Sequence, residues 1–216
     1  MTARKTAFVA IALLSSGLAQ AQLSANVGWA SEYHFRGILQ KVSSASAGLD
    51  YESGGFYVGT WAADVDNGVD SDGNPVDGLE VDVYFGYGGE VEDFGYSVGF
   101  TGYYYTGDFD DTYQEINLGG SYGPLSLDVA IGEYDNFTGP TQDYTFAALT
   151  LAAENGLYGT YGTFSQDADG DYLELGYGTT IAELDVGIAL IFANDDLIGD
   201  DDESLIYSLG KSFDLQ

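Results

Sequence analysis

The sequence predicts an all-β protein: a transmembrane, antiparallel, up-and-down β-barrel of about twelve strands, formed once an N-terminal signal peptide is removed. Three observations point there. Apolar and polar residues alternate with period two over long segments, which gives a strand two chemically different faces. The links between those segments alternate between tight and long, as in a meander of hairpins whose two ends differ. The first 21 residues have the layout of an export signal.

Composition narrows the function classes. The chain has 216 residues with 5 basic and 35 acidic side chains, a formal charge of −30. Phosphate neutralisation, and so nucleic acid as a partner, is excluded on that charge. With no Cys and a single His, a disulfide framework, a thiolate nucleophile and a His-rich metal cluster are excluded too. The 31 Gly, 18 Tyr and 12 Phe against 3 Pro oppose disorder and suit an aromatic-rich β protein.

Residues 1–21 read as a cleaved signal: Arg4 and Lys5, the apolar Thr6 to Leu14, then Ala19-Gln20-Ala21 as the small-residue cleavage site. Residues 22–216 form the barrel domain. No later stretch has 18 consecutive apolar residues, the length a membrane helix requires.

The first strand spans Leu23 to Gly37. Its odd positions give Leu23, Ala25, Val27, Trp29, Tyr33 and Phe35, and its even positions Ser24, Asn26, Gly28, Glu32, His34 and Arg36. The alternation recurs at Leu79 to Val91, Tyr96 to Tyr104, Ile116 to Tyr122, Leu125 to Ile131, Leu173 to Tyr177, Leu184 to Phe192 and Leu205 to Phe213. At Ser43 to Tyr51, Phe56 to Val65, Tyr144 to Ala152 and Leu157 to Ser165 both faces are small or mixed, so the period leaves their orientation open.

Tight links fall at Glu52 to Gly55, Glu92-Asp93, Gly123-Pro124, Glu154 to Gly156 and Ile181 to Glu183, most of them carrying Gly, Asn or Pro. The first link, Gly37 to Val42, reads as longer and mildly polar. The others, Asp64 to Gly78, Thr106 to Thr112, Asp135 to Asp143, Gln166 to Asp171 and Asn194 to Ser204, are long and hold no basic residue. A barrel with both chain ends on its short-turn side accounts for this. A secreted soluble β-sandwich is the competing architecture, but its strands are usually only ~5–6 residues long.

Ser31-Glu32-Tyr33-His34-Phe35-Arg36-Gly37, Gly48-Leu49-Asp50-Tyr51 and Gly55-Phe56-Tyr57-Val58-Gly59-Thr60-Trp61 come in that order. They are followed by Glu80-Val81-Asp82-Val83-Tyr84 and Phe94-Gly95-Tyr96-Ser97-Val98-Gly99. Over residues 25 to 105 this run resembles the TorF family of small bacterial outer-membrane porins. Glu32 and Leu39 stand where that family usually has Asp and Ser, and Phe213 stands near the end where such barrels close on an aromatic. The resemblance implies a porin-like barrel.

Little else in the sequence points to chemistry. His34 is the one imidazole a hydrolase could use, and no nucleophile motif accompanies it; the expected reading is a non-enzyme without cofactor or metal. Asp70 to Asn74 and Asp167 to Asp171 look like calcium loops but lack the sixth-position Gly and the distant Glu. The run Asp195, Asp196, Asp200, Asp201, Asp202 and Glu203 reads as a solvated loop, able to collect divalent cations beside lipopolysaccharide. The expected partners are outer-membrane lipid and lipopolysaccharide.

The expected function is a passive outer-membrane pore for ions or small solutes. Its lining would be Glu32, His34, Arg36, Asp50, Glu80, Asp82, Glu115, Asp128, Glu174 and Asp185, eight carboxylates against one guanidinium, hence cation-preferring. Arg36 would pair with Glu32 or Glu80, and Lys211 would snorkel at the periplasmic rim. The alternative is a closed barrel plugged by side chains, serving as a structural or adhesive surface protein.

Overall fold

The computed structural model describes residues 21–69, 72–107, 109–199 and 202–215. The expected signal segment, up to residue 20, lies outside the described residues. So do Asp70, Ser71, Asp108, Asp200 and Asp201 of the acidic loops.

Twelve strands run in chain order: β1 (Gln22–Phe35), β2 (Ile38–Ser53), β3 (Phe56–Val69), β4 (Pro75–Val91), β5 (Phe94–Tyr105), β6 (Tyr113–Tyr122), β7 (Leu125–Tyr134), β8 (Gln142–Ala152), β9 (Leu157–Gln166), β10 (Asp171–Ile181), β11 (Leu184–Ala193) and β12 (Asp202–Asp214). Each pairs antiparallel with its neighbours, and β1 closes on β12. One closed sheet replaces the two packed sheets of a sandwich, so that competing architecture is excluded. Closure also pairs the edge strands that an open sheet would leave bare.

The alternation becomes an outside and an inside. Val27, Val83, Val98, Leu118, Ile188 and Leu209 are exposed apolar residues of the outward register. The orientation of β2, β3, β8 and β9, open from sequence, follows from burial. Leu49, Val58, Leu149 and Tyr161 face out, while Ser44, Ala63, Phe146 and Thr160 are buried inside.

At one end the chain turns in two to four residues, with left-handed residues at Gly54, Gly55, Glu92, Gly123, Gly156, Ala182 and Glu183. Gln22 pairs with Glu52 and Asp214 with Ser24, so β1 begins and β12 ends at this turn end. The opposite end carries the long loops and a single turn of helix, α1 (Asp195–Ile198), capped by the Asn194 side chain.

The first link departs from expectation. It is not a loop over Gly37 to Val42 but a two-residue turn, Arg36 and Gly37, both left-handed (φ 50° and 87°). Such a turn matches the twist of the flanking strands, and β2 therefore starts at Ile38. Unlike the other tight turns, this one lies at the loop end.

Candidate functional site

The barrel interior is filled unevenly. Toward the turn end the inward register is half-buried and mostly small, with Ser24, Gly95, Ser97, Ser121 and Ser126 beside the larger Tyr57 and Tyr158. Toward the loop end it is large and buried, with Glu80, Tyr103, Glu115, Tyr144, Phe146 and Tyr172. The side chains change size because a second layer of chain enters the loop end.

That layer is the tip of the β1–β2 hairpin. Pairing of β1 with β12 stops at Ala30, and pairing of β2 with β3 begins only at Ser46. Over residues 31–45 β1 and β2 therefore pair only with each other. The register slips between Tyr33 and His34, and Ser43 is left-handed at φ 60°; irregularities of this kind bend a ribbon. Two serines make the bonds that the missing ladders would have made. Ser31 Oγ accepts from the Tyr207 N–H at 2.9 Å, and Ser44 Oγ donates to the Asp64 carbonyl at 2.8 Å. The ribbon folds into the barrel as a flap.

The bend corrects the expected faces of β1. Tyr33 and Phe35, on the apolar register by parity, point inward. The Tyr33 hydroxyl donates to Glu80 Oε1 at 2.6 Å and its ring meets Trp61 edge-on at 5.5 Å. Phe35 lies 5.2 Å from the ring of Tyr103. Gly37 is buried at the tip, where a Cβ would stand 2.8 Å from Tyr172 Cγ and 3.0 Å from Leu197 Cδ2.

Arg36 sits at the tip, not on the wall of the first strand. Its partner is neither Glu32 nor Glu80 but Glu115 on β6, held by two hydrogen bonds, Nη2 to Oε2 at 2.9 Å and Nη1 to Oε1. The guanidinium carbon lies 4.3 Å from the Phe146 ring centre and 4.7 Å from that of Phe35, within cation–π range. Glu115 also accepts from Tyr103 Oη at 3.0 Å, Tyr144 Oη at 2.7 Å and Asn117 Nδ2 at 3.0 Å. A carboxylate with this many donors can remain charged out of water.

The other expected lining residues are spread along the interior. Asp50 accepts from the Tyr84 hydroxyl and from Asn26 Nδ2 at 3.3 Å. Glu174 accepts from Tyr158 Oη at 2.5 Å, and Asp185 from Thr180 Oγ1 at 2.7 Å. Asp82 Oδ1 and Asp128 Oδ2 are buried without a hydrogen-bond partner, so each is an acceptor left unused in the closed barrel. His34 lies buried with Nε2 at 4.0 Å from Glu32 Oε2. Sequence reasoning missed the aromatic part, Tyr103, Tyr144 and Phe146, and the amide of Asn117. The one signal for the flap was the Arg36-Gly37 pair, since Gly supplies positive φ to a tight turn.

Several loop carboxylates hold backbone or hydroxyl groups. Asp110 accepts from Tyr113 Oη at 2.9 Å and Tyr134 Oη at 2.7 Å, and Asp167 Oδ2 accepts from the Asp143 N–H at 2.9 Å. Among the described residues no group of three or more His, Asp or Glu side chains is placed to hold a metal ion. Lys211, on the outward register near the turn end, reaches Glu183 Oε2 at 3.1 Å.

Among solved structures the chain is similar to one reported under "Unveiling the Mechanism Behind the in-meso Crystallization of Membrane Proteins". That likeness has a TM-score of 0.58 and 10% identity and covers 90% of this chain and 84% of the other. It is also similar to the outer-membrane protein OpdK from Pseudomonas aeruginosa, at TM-score 0.40 and 14% identity over 81% of this chain and 58% of that one. For OccK2 (OpdF) of the same organism, in complex with glucuronate, the values are 0.42 and 13% over 94% and 68%. No curated protein sequence matches the chain. Residues 15–212 match the family described as "Bacterial protein of unknown function (Gcw_chp)", and the chain belongs to that family.

Proposed function

We propose that this chain is a porin-like barrel of the bacterial outer membrane, a passive channel for ions or small solutes that prefers cations. One observation carries the reading: a closed meander of twelve strands whose outward register is apolar while its inward register holds carboxylates. An apolar exterior on a closed sheet suits lipid, where every backbone group must be paired within the protein. Strands of 10 residues or more meet the ~9–11 a tilted strand needs to cross. Exposed Tyr51, Phe56, Tyr87, Phe94, Tyr122 and Phe213 line the turn end along β2 to β6 and β12, where an interfacial aromatic girdle belongs. The motif resemblance to TorF porins favours the same reading, with residues 1–21 as its export signal.

Cation preference rests on charge count. The eight carboxylates Glu32, Asp50, Glu80, Asp82, Glu115, Asp128, Glu174 and Asp185 face one guanidinium, Arg36, which already neutralises Glu115. The orphan oxygens of Asp82 and Asp128 would be met by a cation crossing the interior. At the loop surface, divalent cations would bridge acidic loops to lipopolysaccharide.

The flap favours a second reading. With the loop end filled, the barrel would be a closed structural or adhesive surface protein. Planar bilayers carrying residues 22–216 separate the two. Conductance with a reversal potential on the cation side in a salt gradient supports the channel, whereas an electrically silent, correctly folded barrel overturns it.

A further inference from the structure

The Arg36 contact has two halves of different origin. Arg36 and Phe35 belong to the flap, which pairs with neither neighbouring strand above Ala30 and Ser46. The rest of the cluster belongs to the wall: Glu115 on β6 and Phe146 on β8, which meet the guanidinium, and Asn117 on β6, Tyr103 on β5 and Tyr144 on β8, which bond Glu115. The wall half is organised without Arg36. Three neutral donors fix both oxygens of Glu115, Tyr144 Oη on Oε1 and Tyr103 Oη with Asn117 Nδ2 on Oε2. The Glu115 side chain is fully buried. Phe146 is buried beside it, and its ring lies 4.9 Å from Phe164 and 6.3 Å from the parallel ring of Tyr172.

We propose that this wall cage, the Glu115 carboxylate together with the face of Phe146, is a binding site for a guanidinium-bearing solute, filled in the closed barrel by the chain's own Arg36. A two-pronged carboxylate with an aromatic face selects a flat cation with parallel N–H donors over a compact, strongly hydrated ammonium. The flap is then an internal competitor. A free guanidinium solute entering from the loop side and the Arg36 tip exclude one another, and the solute holds the barrel with its flap displaced. This deepens the channel reading by naming a solute class, and it rests on that reading only for passage through the barrel; binding to the cage stands alone.

The test uses Arg36→Gly in residues 22–216, since the left-handed φ of 50° at this position accepts Gly without strain. Arg36→Asn is the second variant, because Asn tolerates the same conformation and is too short to fill the cage. Millimolar methylguanidinium is compared with methylammonium at equal ionic strength, far below denaturing concentrations. The expected result is a rise of several degrees in the melting temperature of both variants with methylguanidinium alone. Wild type and the Arg36→Gly/Glu115→Gln double variant should show no rise. If a variant folds poorly, its refolding yield with and without methylguanidinium reads the same site.

In planar bilayers methylguanidinium should at least halve the current through Arg36→Gly and leave the double variant unchanged. No thermal rescue, or equal rescue of the double variant, overturns the cage. Thermal rescue in a barrel that never conducts keeps the cage and removes the channel. Current with neither rescue nor block does the reverse.

Discussion

Arg36 and Glu115 are joined across 79 residues of chain, one on a ribbon outside the ladders of the neighbouring strands, the other near the loop end of a strand paired on both sides. The two ends of this ion pair therefore respond differently to loss of the partner. Without Glu115 the flap can carry Arg36 out to water. Without Arg36, Glu115 has nowhere to go.

Arg36→Gly should thus approach the ~3–5 kcal/mol cost of stranding one buried ion, reduced by the three neutral donors that remain on Glu115. Glu115→Gln should cost less, because the released guanidinium is rehydrated. Equilibrium unfolding of both variants in urea with detergent or lipid measures the difference; an equal cost would show that the flap does not swing.

Seating of the flap depends on Gly37. Its φ of 87° penalises any L side chain, and a Cβ would come within 2.8 Å of Tyr172 and 3.0 Å of Leu197. Gly54, at φ 60° with nothing within 4 Å of the added atom, isolates the backbone part of that cost, about 1–2 kcal/mol. Gly37→Ala should cost more than Gly54→Ala and raise single-channel open time, whereas Gly54→Ala should leave conductance unaltered. Paired melting curves and single-channel records decide this.

The two-sided wall predicts position-dependent tolerance to charge. Ile188→Arg and Val83→Arg, both outward and exposed, should each cost ~2–4 kcal/mol near the bilayer midplane. Ser126→Arg, inward and half-buried toward the turn end, should cost much less. Folding titrations into lipid vesicles provide the comparison, and similar penalties at 126 and 188 would contradict a lipid-facing exterior.

Cation preference should follow the interior carboxylates. Glu80→Gln with Asp82→Asn should lower the cation-to-anion permeability ratio, read from reversal potentials in a salt gradient. Salt should weaken the preference in the wild type, as the Debye length falls from ~10 Å at 0.1 M to ~3 Å at 1 M. A ratio indifferent to both changes would remove these residues from the conduction path.

Orientation is open to labelling, since the chain has no Cys of its own. A single Asn74→Cys in the β3–β4 loop should react with a bulky thiol probe on intact cells, and Asp93→Cys in a tight turn should not. The opposite pattern would invert the barrel.

Strand number, the meander, the tight turns at one end and the outward face of most strands are all legible in the amino-acid order. Each of these is written locally: alternation at Leu79 to Val91 sets which side of the strand is apolar, and Gly123-Pro124 sets a turn regardless of distant residues. The acidic inward register is legible too, because Glu80 and Asp82 share the parity of their strand.

The flap and everything it touches arise only on folding. Tyr33 and Phe35 lie on the apolar parity of β1, and the strand keeps that parity to its end, because the extra residue at the slip, Gln40, is on β2; they face inside because the irregular ribbon bends into the barrel as a whole. The pairing of Arg36 with Glu115, like the ring of Phe146 over the guanidinium, joins residues remote in sequence. No local period encodes such a contact, because it exists only once twelve strands have closed around a space that one hairpin can enter.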